Sequence, residues 1–209
     1  MKKSSGDKRT IPFKEGEQVV YPLQGVGEIQ SIEEREFKGE QVPYYIIYLE
    51  VSDMTVMVPV DKAEELGIRA IVPAKEAKRA LKLIGEEFDP VPADWKVRYQ
   101  MNLDLLKQGS VTDIATVVRT LYHRSRVKEL PILERKLFDS ALKLLVDEIS
   151  FSLKKQKDEV EVMIFDRLAT EGGGPREVAA EEEEDVEESS QSGDHSQDED
   201  VEEDEDSDE

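Results

Sequence analysis

Apolar residues change their spacing partway along the chain, and that change divides it. Between residues 13 and 73 they fall in short runs: EQVVYP (17–22), GVGEIQSIEEREF (25–37), VPYYIIYLE (42–50), TVMVPV (55–60) and IRAIV (68–72). β-Branched and aromatic side chains are frequent in these runs, which is the composition of pleated, half-buried strands. In the second run Val26, Glu28, Ile29, Ser31, Ile32 and Glu33 alternate imperfectly, and Gly25 and Gly27 mark a tight turn or bulge. KGEQ (38–41) supplies a hairpin loop in which Gly39 takes a positive φ. Ser52 and Asp53 make the next turn, and Asp61 caps a short helical turn, KAEEL, that ends at Gly67. Five short strands in so short a span predict a small SH3- or Tudor-like β-barrel, which binds through an edge strand or a loop.

From residue 74 the apolar period becomes helical. AKEAKRALKLIGEE places Ala77, Ala80, Leu81 and Ile84 on one face. Asp94 is positioned to cap a helix that begins at Trp95 and ends at Gly109, and Ser110 with Asp113 makes a capping-box-like start for the next. That helix lines up Val111, Ile114, Ala115, Val118, Leu121 and Tyr122. Pro131 opens another at a favoured first position, with a stripe of Leu133, Leu137, Ala141, Leu144 and Leu145. EVEVMIFDRL completes a compact bundle of four or five helices. The expected fold class is α+β: a flexible N-terminus (1–12), the barrel (13–73), an all-α helical bundle (74–170) and a tail (171–209).

Charge changes the picture once it is located. A net charge of −21 over 209 residues describes a protein that nucleic acid would repel. Yet residues 171–209 hold 20 Asp and Glu against one basic residue, Arg176, while residues 1–170 carry 27 basic and 29 acidic side chains. The tail has no aromatic residue and few apolar ones, so it is expected to be disordered, with Gly172, Gly173, Gly174 and Pro175 as a flexible break. Tethered close by, it would compete with phosphates for basic side chains, or serve only solubility.

Chemistry narrows the classes further. There is no cysteine, and His123 and His195 are the sole histidines, so no metal site and no cofactor are expected. His123 reads as an exposed polar residue at a helix end. The chain has no P-loop, GxGxxG, HExxH or cysteine nucleophile, and Gly25-Val26-Gly27 lacks a third glycine and a following helix, which argues against an enzyme and a small-molecule substrate. No apolar run reaches about 18 residues, and MKKSSGDKRTIPF has no signal core, so a cytoplasmic protein without membrane contact is expected.

The stretch DPVPADWKVRYQ (89–100) contains the only tryptophan. Trp95 can pack as a hydrophobic staple, or its ring can stack on a base or wedge into a base step. His123, Arg124, Arg126 and Lys128 close one helix, Arg135 and Lys136 open the next, and Lys96 and Arg98 follow the tryptophan. Together these make a basic patch on a nearly neutral module. On the residues alone three classes stay open: a DNA-binding module, a protein-interaction adapter, and an acidic nucleic-acid mimic or chaperone.

The order of motifs resembles the CarD family of bacterial transcription regulators. FKEGEQVVYPLQGVGEIQSIEEREFKGE, PYYIIYL, TVMVPV and LGIRAIV resemble its first half; DWKVRYQMNLDLLKQGSVTDIATVVRTLYHR and ERKLFDSALKLLVDEI resemble its second. The resemblance implies a Tudor-like domain that binds the RNA polymerase β subunit. It also implies a helical domain that binds promoter DNA, stabilising the open complex at the upstream edge of the bubble. The family's minor-groove wedge corresponds to Trp95, its DNA contacts to Arg98, Arg124 and Arg135, and its polymerase contacts to Arg35 and Phe37. Met57 and Gln100 depart from basic residues found in some members. A monomer is expected.

Overall fold

The structure, a computed structural model, describes residues 13–169 and 174–175. The expected flexible N-terminus 1–12, the glycines at 172 and 173 and the acidic segment 176–209 lie outside the described residues.

One long hairpin organises the β half. β1 (Gln18–Tyr21) leads into β2 (Gly25–Phe37), which pairs along its length with β3 (Glu40–Leu49). Lys38 and Gly39 join them, both at positive φ (53° and 84°), as a two-residue type I′ turn requires. The ladder shifts register between Ile29 and Ser31, a bulge that lets Ile29 and Ile32 stand opposite the buried Ile47 and Tyr45. That extra residue is why the alternation along β2 reads as imperfect. β4 (Met54–Pro59) and β5 (Arg69–Ala70) complete an antiparallel sheet in the order β4-β3-β2-β1-β5.

The sheet is open, with β4 and β5 as two edges that do not pair with each other, so it agrees with the α+β class without confirming the expected SH3- or Tudor-like barrel. β4 ends at Pro59, which has no N–H to extend a ladder. The chain instead passes through a single 3-10 turn, Val60–Lys62, and further turns to Gly67, burying Val60, Ala63 and Ile68 against Val19, Ile29, Tyr45, Ile47, Leu49 and Val58. Asp61 lies inside that turn and caps nothing; Pro59 occupies the cap position, without a side-chain bond.

Five helices follow: α1 (Ala74–Ile84), α2 (Trp95–Gln108), α3 (Val111–Val127), α4 (Ile132–Leu153) and α5 (Lys157–Leu168). Asp94 caps α2 by accepting from Lys96 N at 2.8 Å, and Ser110 caps α3 by accepting from Asp113 N at 3.1 Å. Ala77, Ala80, Leu81 and Ile84 of α1 are buried, as are Val111, Ile114, Ala115, Val118 and Leu121 of α3, and they meet Leu137, Ala141 and Leu145 of α4 in one core. Leu133, expected in the α4 stripe, is exposed, and Pro131 stands at the N-cap rather than inside the helix. β6 (Glu87–Phe88) pairs in parallel with β7 (Gly174–Pro175), so two residues expected in a flexible break form a short ladder.

Sheet and helices are joined by ion pairs centred on α4. Glu148, buried on α4, accepts both Nη atoms of Arg69 from β5 (2.5 and 2.8 Å) and the N–H of Val72 at 3.2 Å. The same guanidinium donates to the Gly109 carbonyl at 2.6 Å. Beside it, buried Asp147 pairs with Lys157 at 2.9 Å, and Lys157 reaches Glu50 of the β3–β4 turn at 3.3 Å. The hydrogen bond to Asp147 raises the Lys157 pKa.

Gly27 is the tightest point of the sheet. A Cβ there would lie 2.7 Å from Ile47 Cγ2, 2.8 Å from Leu49 Cδ2 and 3.0 Å from the Tyr48 carbonyl. Gly27→Ala is therefore expected to destabilise the protein by about 1–3 kcal/mol through overpacking. Urea unfolding checks this: the midpoint falls, and an unchanged midpoint would mean the sheet yields without cost.

Candidate nucleic-acid interface

The site begins with two helix starts held together. Trp95 is the first residue of α2, directly after the Asp94 cap. Its side chain belongs to neither core cluster and is 37 % exposed. One turn on, Arg98 is 2 % exposed and Glu134 of α4 is fully buried. Arg98 Nε and Nη2 donate to the two Glu134 carboxylate oxygens at 2.8 Å each, and Nη1 donates to the carbonyls of Pro92 and Ala93 at 2.7 and 2.9 Å. One guanidinium thus ties the proline-containing approach segment, the first turn of α2 and the first turn of α4 into a single unit.

This corrects the reading of Arg98 as a surface DNA contact. A bidentate pair inside the protein occupies the donors that a phosphate would need. The signal for burial is present in the sequence: Arg98, Asn102 and Leu106 recur every four residues and form the buried face of α2. Two polar members disguise that face. Asn102 Nδ2 donates to the Arg98 carbonyl at 2.9 Å, and its Oδ1 is buried without a hydrogen-bond partner.

Around the pair the surface is apolar and basic. Val97 is 53 % exposed, and Ile132 and Leu133, the two residues before Glu134, are exposed. Arg135 and Lys136, the two after it, are exposed too, and Arg135 bonds to Glu129 at 2.6 Å. Arg124 is half-buried and Arg126 exposed in the last turn of α3. The structure therefore brings Trp95 and Arg135 to neighbouring helix starts, with Arg124 on the helix that leads into α4. Gln100, one of the two departures, is exposed and donates to Asp104 at 2.8 Å.

His123 is part of the packing, which corrects its reading as an exposed helix-end residue. Its ring lies 5.6 Å from Phe88 and 5.5 Å from Tyr122, and its Nε2 is buried without a hydrogen-bond partner. Desolvation lowers its pKa, and the charge of Arg119 lowers it further. Arg119 stacks on Phe88 at 4.5 Å and donates to the Leu83 carbonyl at 2.9 Å, closing the end of α1.

Arg35 and Phe37 stand apart from this group, on the outer half of β2. They are two residues apart, and so is Glu33, so the three share a strand face. Arg35 pairs with Glu33 at 2.7 Å; Phe37 is 54 % exposed, with the Lys38 ammonium 5.2 Å from its ring. Met57, the other departure, is exposed on edge strand β4. No cluster of potential metal ligands exists among the described residues, nor a helix long and apolar enough to cross a membrane.

The chain thus combines a sheet module that carries an exposed outer ribbon with a helical module whose neighbouring helix starts carry Trp95 and Arg135. Residues 13–72 match the family model of the CarD-like/TRCF RID domain, and residues 79–165 match that of the CarD C-terminal domain. The chain is 37% identical over 139 residues to YdeB of Bacillus subtilis (strain 168), described as a candidate transcription factor; the match covers 66% of this chain and 90% of YdeB. The chain belongs to the CarD family of transcription regulators. That family is one of transcription factors rather than enzymes.

The buried pair separates structure from recognition. Removing Arg98 leaves Glu134 buried and unpaired, so Arg98→Ala is expected to cost about 3–5 kcal/mol of stability. Chemical denaturation measures this. A variant as stable as the parent would return Arg98 to the surface as a contact residue.

Proposed function

We propose that this chain binds the RNA polymerase β subunit through its sheet module and promoter DNA through its helical module, stabilising the open complex at the upstream edge of the bubble. The observation that carries this reading is Trp95: a large aromatic, exposed at a capped helix start, beside a helix start that carries Arg135. An indole so placed can insert at a base step already being opened, where part of the unstacking cost is met by melting itself. Arg124 and Arg135 would contact phosphates, and Arg98 would act by holding the Trp95 helix in place. No bond is made or broken. Binding the polymerase and the bubble edge together shifts the closed–open equilibrium toward open. Tethering raises the effective concentration of the DNA module, so that module can bind weakly by itself.

Trp95→Ala is expected to melt close to the parent temperature, because its ring lies outside both cores. The lifetime of polymerase–promoter open complexes should fall roughly 5- to 150-fold, the equivalent of about 1–3 kcal/mol per stacked base. An unchanged lifetime would favour the adapter reading.

The ribbon supplies the second test. Arg35→Glu reverses a charge on an exposed strand face and removes no core contact. Pull-down of the β subunit should weaken while binding to a forked duplex stays at the parent level. Equal loss of both would refute the division of labour between the modules.

A further inference from the structure

Helix α1 has two unlike sides. One side, Ala77, Ala80, Leu81 and Ile84, is buried in the core of the bundle. On the other, Lys75, Lys78, Arg79 and Lys82 are all exposed, at the i, i+3, i+4 and i+7 spacing that sets side chains in one stripe. Lys82 pairs with Glu86 at 3.1 Å. Lys75, Lys78 and Arg79 have no carboxylate partner among the described residues.

The stripe does not serve the helix that carries it. Cations near a helix start face the positive end of the dipole, and like charges three or four residues apart repel. Such spacings join Lys75 to Lys78 and Arg79, and join both of those to Lys82. Glu76, the acid of the first turn, stands three residues before Arg79 and forms no ion pair with it. Four cations are thus held together against their mutual repulsion, with one of them neutralised.

The chemistry of the stripe selects its partner. Protein interfaces are anchored by aromatic and aliphatic side chains and are poor in lysine; α1 has no exposed large apolar residue. A membrane surface would need an exposed apolar face, and the apolar face of α1 lies in the core. A row of fixed negative charge fits better. The stripe rises about 10 Å from Lys75 to Lys82, a length over which one DNA strand presents about three phosphates. Lysine meets phosphate as a point charge on a flexible stem, a contact that positions a duplex without reading its bases.

We propose that the outer stripe of α1 binds the phosphate backbone of duplex DNA, with Lys75, Lys78 and Arg79 as the contacts. These residues are distinct from Trp95, Arg124 and Arg135, and the inference does not rest on the function proposed for them. The stripe gives the helical module a hold on unmelted DNA of any sequence.

The test compares the full-length chain with a variant carrying K75Q, K78Q and R79Q. Glutamine is a comparable helix former and removes the repulsion, so the variant should melt at or above the parent temperature. A lower melting temperature would show that the cations serve the fold, and would overturn the proposal. Affinity for a blunt duplex is then measured across a salt series. The slope of log K against log salt should be shallower by about 2–3 in the variant, whose deficit shrinks roughly 15- to 60-fold over a roughly fourfold rise in salt. Equal slopes overturn the proposal, as does a parent that binds no duplex. Trp95→Ala on a forked duplex keeps the two surfaces apart, because it should weaken fork binding while retaining the parent slope. A Trp95 effect beside equal slopes for the stripe variant would remove this surface and leave the proposed function standing. The reverse outcome would keep the surface and bring down the wedge. Weaker pull-down of the β subunit by the stripe variant, with unchanged duplex binding, would assign α1 to a protein partner instead.

Discussion

Three carboxylates on α4 are taken out of water, and each is held by a cation from a different element. Glu134, at the start of the helix, receives Arg98 from α2; Asp147 and Glu148, near its end, receive Lys157 from α5 and Arg69 from β5. A carboxylate in such surroundings is costly without a well-placed partner, so each pair admits few arrangements of the elements that carry it. Apolar contacts can slide by a fraction of a residue; a bidentate guanidinium cannot. α4 therefore works as a ruler, fixing the α2 start at one end and the sheet at the other.

Both candidate surfaces depend on that ruler. At the first end, the Arg98 fork turns a short proline-bearing segment and two helix starts into one stiff platform, and Trp95 stands on it. At the second, Arg69 and Lys157 join the sheet to the bundle, with Glu148, the Gly109 carbonyl, Asp147 and Glu50 as acceptors. Under the proposed function, with one partner on the sheet and another on the helices, such stiffness means that less freedom is lost when the second partner binds.

The elements themselves were legible in the sequence. Five β runs, the caps at Asp94 and Ser110, and the apolar faces of α1 and α3 follow from local pattern, and the structure contains them. What pattern could not convey was pairing between distant polar residues. Arg98 reads as surface charge because its partner, Glu134, is 36 residues away. Leu133 reads as core because the face of α4 at that level is taken by Glu134 instead. His123 reads as a solvated helix end because nothing in its own neighbourhood announces Phe88. Closure of the sheet was not legible for a related reason: strand count is local, whereas closure depends on how the chain after Pro59 returns, and β5 has two residues. Trp95 was the reverse case, its exposure following from a cap and two prolines close by.

The bulge between Ile29 and Ser31 has a consequence beyond its own ladder. Up to Ile32 the β2–β3 hairpin lies on the sheet core; past it, residues 34–41 are exposed while their backbone pairing continues to the turn. The outer ribbon is thus a scaffolded display, shaped by main-chain bonds that are indifferent to side-chain identity. Its sequence can drift to track a changing partner without endangering the fold, whereas the residues under the bulge have no such liberty.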